Sequence, residues 1–140
     1  MPYKNTTLCF KWFQEVWNNG RESAISELLS DQTIIHGIAD PDGAEEMGLQ
    51  GFKKFYNSFR NDFSNIQAQV EEVVTQEDFE SAHCTVTAKH AKTGKDVKFS
   101  GIVLVRIDGG KIVESWNHFD FLTLYKQIGY DLVEKNPVQV

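Results

Sequence analysis

Apolar residues recur every three to four positions along the first part of the chain and every two positions after about residue 65. Leu8, Trp12 and Val16, with Phe13 and Trp17 beside them, predict a helix over residues 5–19. Asn18-Asn19-Gly20 stops it, the glycine supplying a left-handed cap. A second, short helix is expected over Glu22–Leu29, with Ile25, Leu28 and Leu29 on one face, ended by Ser30-Asp31. The β-branched run Thr33-Ile34-Ile35-His36-Gly37 reads as a strand, and Asp40-Pro41-Asp42-Gly43 as a turn. Phe52, Phe55, Tyr56, Phe59 and Phe63 form one aromatic stripe on a third helix, Phe52–Phe63. Ile66–Gln76, Phe79–His90, Val97–Ile107 and Lys111–Phe121 then alternate as strands. Ala91–Lys95 and Asp108-Gly109-Gly110 are hairpin loops between them. Leu122–Gly129 is expected to be a helical turn or an irregular segment closing the core, and 130–140 a loose tail.

Helices first and strands afterwards mean α+β rather than a parallel α/β sheet. The expectation is a single domain over residues 1–140: three N-terminal helices packed on a strongly curved, mainly antiparallel sheet. Such a cone encloses either a filled core or an apolar pocket. The 140 residues suffice for a core without disulfides or metal. Fourteen Lys and Arg against twenty Asp and Glu leave a net charge of −6, which argues against a nucleic-acid binder. The N-terminus lacks a basic segment leading into an apolar run, and no apolar stretch is long enough to span a bilayer. Cys9 and Cys84 sit far apart in apolar segments and are expected to be reduced thiols of a cytoplasmic protein without membrane partners.

Candidate chemistry concentrates on the last strand. Glu114, Trp116, His118 and Asp120 share one face; Val113, Ser115, Asn117, Phe119 and Phe121 share the other. One reading makes the first face the wall of a polar-spotted cavity, where burial would raise the pKa of Asp120 and let it shuttle protons. The other makes that face solvated and the Phe/Val face the core. Arg106, with Ile102 and Leu104, has the parity of the charged face. A three-residue loop would set it opposite Ile112, within diagonal reach of Glu114. His36 is either a pocket group or a surface residue at a strand end. The aromatic stripe is either core or the other wall of the pocket. His83 and His90 have opposite parity on one strand, and the spacing of His, Cys and carboxylates gives no metal site. No nucleophile elbow surrounds Ser81 or Ser100.

Gly51-Phe52-Lys53-Lys54-Phe55-Tyr56, Arg60-Asn61-Asp62-Phe63, Arg106 through Trp116, His118-Phe119-Asp120 and Gln127-Ile128-Gly129 together resemble the SnoaL-like polyketide cyclases. These belong to the nuclear transport factor 2-like superfamily, and the resemblance spans about residues 6–130. It implies the cone-shaped fold and a cofactor-free, metal-free aldol-type cyclisation. The partner would be a small apolar or aromatic carbonyl compound. Asp120 would be the general acid/base, His36 a pocket-lining group and His118 an orienting one. Trp116, Phe55, Phe59, Tyr56, Arg106 and Trp12 would contact the substrate. Arg106 stands where such cyclases can carry a histidine. His83-Cys84-Thr85 lacks the Arg-x-Asp pair of related epoxide hydrolases. The resemblance also implies a homodimer through the outer sheet face. The alternative is a non-catalytic ligand-binding or dimerisation module on the same fold, in which Asp120 is solvated or ion-paired.

Overall fold

A computed structural model describes residues 2–38 and 46–136. The expected turn at Asp40–Gly43 lies outside them. Six strands form one sheet among the described residues: β1 (Leu29–His36), β2 (Glu46–Met47), β3 (Phe63–Gln76), β4 (Phe79–His90), β5 (Asp96–Asp108) and β6 (Lys111–Phe119). Their order is β2-β1-β6-β5-β4-β3, antiparallel except where β1 runs parallel to β6. The four long strands begin and end close to where period-two alternation begins and ends. The α+β cone expected from the sequence is the fold observed.

The first predicted helix is broken into pieces: α1 (Pro2–Asn5), α2 (Leu8–Trp12) and a π-helical segment, Phe13–Asn18. Two groups cap α2. Thr7 Oγ1 accepts from the Phe10 amide, and the Glu80 carboxylate on β4 accepts from the amides of Leu8 (3.2 Å) and Cys9 (2.8 Å). The wider π turn is held from outside: Val16 O accepts the Tyr56 hydroxyl at 2.8 Å. Asn18 at its end behaves like a strand residue, exchanging two hydrogen bonds with the backbone of Ala68 on β3. α3 (Ser23–Leu28) leads into β1. α4 (Leu49–Asp62) starts one turn earlier than its aromatic stripe, and α5 (Phe121–Gln127) follows β6. Residues 130–136 have no regular structure.

The helices cover one face of the curved sheet. Val16, Ala24, Ile25, Tyr56 and Leu124 are almost wholly inaccessible there. The inward positions are even on β4 (Ala82, Cys84, Val86, Ala88) and odd on β5 (Val97, Phe99, Val103, Val105).

The β5–β6 turn decides which side chains of β6 join them. Gly109 and Gly110, both at positive φ, form a tight two-residue loop rather than the three-residue loop considered from sequence. Ile107 then pairs with Ile112 but Arg106 with Glu114, so Val113 is an extra residue on β6. A bulge of one residue reverses which parity faces the core. Beyond it, Ser115, Asn117 and Phe119 point inward with Val105 and Val103, while Glu114, Trp116 and His118 point out. Gly101 sits opposite Phe119, and a Cβ there would collide with the Phe119 ring.

Candidate functional site

A cavity of about 80 Å³ lies between the concave sheet face and the helices. Trp12, Phe13 and Trp17 form its roof from the N-terminal helical segments; Phe52, Phe55 and Phe59 come from α4. The floor is aliphatic, including Ala68, Val86, Val103 and Val105. Phe119 and Phe121 close the end where the sheet gives way to α5. The rings form a continuous chain: Trp12–Phe52 centroids are 5.2 Å apart, Phe52–Phe55 6.0 Å and Phe55–Phe121 6.5 Å. Trp12, Phe55 and Phe121 are half-buried, so this chain carries the cavity wall to the molecular surface.

The polar groups of the wall are few. Ser115 and Asn117 bring its only side-chain oxygens among the described residues. Asn117 Nδ2 donates to His36 O (3.0 Å) and Ser115 Oγ (3.2 Å). Cys9 adds a thiol whose pKa is pushed up, first by burial and then by the Glu80 carboxylate. That thiol stays protonated and is a poor nucleophile. Cys84 is likewise buried and reduced, its pKa pushed up to about 12 by desolvation. Neither a carboxylate nor an imidazole lines the cavity among the described residues.

Trp12, Phe55 and Phe59 line the cavity wall. Tyr56 does not: it is buried beside the wall, with its hydroxyl committed to Val16 O. The polar candidates of β6 are on the other side of the sheet. Asp120 is exposed and caps α5, accepting from Thr123 Oγ1 (2.6 Å) and Thr123 N (3.0 Å). Those two bonds, the hydroxyl's first, hold its carboxyl below the ordinary value. The expected raised pKa of a desolvated acid is thus corrected: the strand ends at Phe119, and the next residue turns outward to start a helix. His118 is exposed on the outer face, not in the cavity. Trp116 is also outside, stacked on His36 with centroids 5.4 Å apart and planes 14° apart. His36 Nε2 is 2.8 Å from Glu114 Oε2, and its Nδ1 is 3.5 Å from Glu46. Arg106 Nη2 reaches Glu114 at 3.4 Å, from directly opposite rather than diagonally. The His36 bond, the largest influence, lowers the Glu114 pKa; desolvation opposes it, and the weaker Arg106 bond lowers it further. His83 pairs with Glu72 at 2.8 Å on this same outer face.

The family model for the SnoaL-like polyketide cyclases matches residues 7–128. The chain belongs to that family. No curated protein matches it significantly. Among solved structures, IdmH from Streptomyces antibioticus, a candidate polyketide cyclase, is 21% identical with a TM-score of 0.76, covering 88% of this chain and 96% of its own. A candidate polyketide cyclase from Bacillus cereus is 26% identical with a TM-score of 0.73, covering 87% and 78%. A protein of ketosteroid-isomerase-like fold from Catenulispora acidiphila is 12% identical with a TM-score of 0.75, covering 90% and 95%. SnoaL-like membership accounts for the fold.

Sequence reading missed Trp17, Ser115, Asn117, Phe119 and Phe121 as wall residues. A signal was present. Lys98, Ser100 and Arg106 mark the even face of β5 as wet, while Val97, Phe99, Val103 and Val105 mark the odd face as core. Carrying that parity across the hairpin requires knowing where the bulge falls.

Proposed function

We propose that this SnoaL-like chain is a receptor for a small, neutral, largely apolar molecule and performs no proton transfer through Asp120. One observation carries this reading: the cavity wall is aromatic and aliphatic, with its two side-chain oxygens uncharged. A charged group there would be stranded without a counter-ion. The cavity is also small. An apolar cavity of about 150 Å³ takes a benzene ring. A single ring fits here by extending toward the half-buried rings of Trp12 and Phe55, whereas a fused polycycle needs them to swing away.

Trp12 and Trp17 line the cavity while Trp116 is outside it, so intrinsic fluorescence tests the reading directly. Titration with toluene should give a saturable change in emission and a matching rise in melting temperature. No saturable change up to the solubility limit rules the reading out. Family membership supports a second reading, cyclisation of a small enolisable ketone, with the Ser115 hydroxyl polarising its carbonyl. Its test is product formation that Ser115→Ala abolishes and Asp120→Asn spares. A homodimer is supported by one row across the outer sheet face, where Trp116 and the exposed Leu104 pair directly and the exposed Ile102 lies two residues away. Sedimentation velocity tests it. A cytoplasmic setting is supported by the two buried, unpaired thiols.

A further inference from the structure

We infer that Ser115 and Asn117 select a ligand bearing one neutral hydroxyl over a hydrocarbon of the same shape. This rests on the receptor reading above and names the chemistry that the receptor recognises.

Asn117 Nδ2 lies 3.0 Å from the carbonyl oxygen of His36, which can only accept. The nitrogen end of the amide is therefore fixed toward β1. Its second hydrogen goes to Ser115 Oγ at 3.2 Å. Both donors are then spent, and Asn117 Oδ1 has no donor among the described residues. Ser115 Oγ accepts from Asn117, so its own hydrogen is unused, and no acceptor for it exists among the described residues. Ser115 is only 7% exposed and lies between Ile35 and Val105 in the sheet. Water from bulk solvent is not freely available to it.

The cavity wall thus presents one hydroxyl donor and one amide acceptor, two residues apart on the same face of β6. A ligand oxygen that both accepts and donates satisfies the pair. A hydroxyl does this. A ketone can accept from Ser115 but cannot donate to Asn117. An anionic oxygen cannot donate either, and no cation lines the cavity among the described residues. The surrounding rings suit an aromatic or short aliphatic body. The geometry therefore points to small phenols and alcohols.

Phenol and toluene are the test pair, since hydroxyl and methyl are nearly the same size. A cavity that only buries apolar surface prefers toluene, because an unpaired buried hydroxyl is disfavoured by about ten-fold or more. Binding of each to the wild-type chain is followed by tryptophan emission and by calorimetry at neutral pH, where phenol is uncharged. The expected result is phenol tighter than toluene by about ten-fold. Ser115→Ala should reverse that order. If toluene binds the wild type as tightly as phenol or tighter, the hydroxyl selection is wrong and the apolar receptor stands. If neither binds, both readings fall. The wild-type comparison decides the matter even if the variant is poorly folded.

Discussion

Filling the cavity should stabilise the protein and abolish the proposed ligand binding in one step. Ala68 lies on the cavity floor and is buried. An empty volume of about 80 Å³ costs about 2 kcal/mol at roughly 24 cal/mol per Å³. Leucine adds three carbons to alanine, worth about 2.4 kcal/mol of burial at ~0.8 per carbon. Ordering its rotamers costs roughly 0.5–1 kcal/mol. Both routes give Ala68→Leu a gain of about 1.5–2 kcal/mol, which raises the melting temperature of a domain this size by roughly 6 °C. The control is Ala82→Leu. Ala82 is equally buried on the same sheet but does not line the cavity. Leucine there overpacks a filled site, at a cost of about 1–3 kcal/mol. Urea unfolding and calorimetry give both values, and toluene titration of Ala68→Leu should show no saturable signal. If both variants are destabilised alike, or Ala68→Leu still binds toluene, the cavity is not the open, ligand-ready space inferred above.

Tyr56→Phe removes the hydroxyl that Val16 O accepts, and should cost about 1–2 kcal/mol in urea unfolding without altering toluene affinity. Glu114 has a folded-state pKa below its ordinary value. Its contribution is present above the ordinary carboxylate range, about 4.3, and is lost as pH falls through the folded value. Glu114→Gln should therefore flatten the acid limb of a stability-against-pH curve; an unchanged limb would mean the His36 and Arg106 contacts do not persist in solution. Asp120→Ala should leave ligand affinity within about two-fold while hydrogen exchange at the Thr123 amide quickens, because the side chain caps α5. A large loss of affinity would return Asp120 to the site.

Element types were legible because their periods are long and clean. Ile66–Val70 alternates without a break, and the α4 stripe keeps one face from Phe52 to Phe59. The sheet's inner and outer faces were half legible. Polar residues on the outer side of β5 mark that strand, but β6 carries Ser and Asn among the rings of one face and Trp among the charges of the other. The bulge at Val113 leaves no compositional trace, since Val suits a regular strand equally well. Asp120 misled for a related reason. An aspartate following a strand reads as strand or as helix cap with the same residue type, and only the Thr123 contacts distinguish them. The broken first helix was illegible because an amphipathic stripe of Leu8, Trp12 and Val16 does not register a switch to the π turn.

The extra residue in β6 has a consequence for how this scaffold changes over generations. Most substitutions alter one side chain. Losing Val113 would instead exchange every side chain beyond it between interior and exterior, bringing Glu114, Trp116 and His118 into the cavity and expelling Ser115, Asn117 and Phe119. A carboxylate and an imidazole would then stand inside a hydrophobic chamber without any other mutation. Length variation at a single hairpin is thus a route between neutral receptors and acid–base enzymes on one backbone. Folded Val113-deletion protein whose toluene site has turned polar would exhibit that exchange; if the strand instead re-forms the bulge at a neighbouring residue, the route is closed.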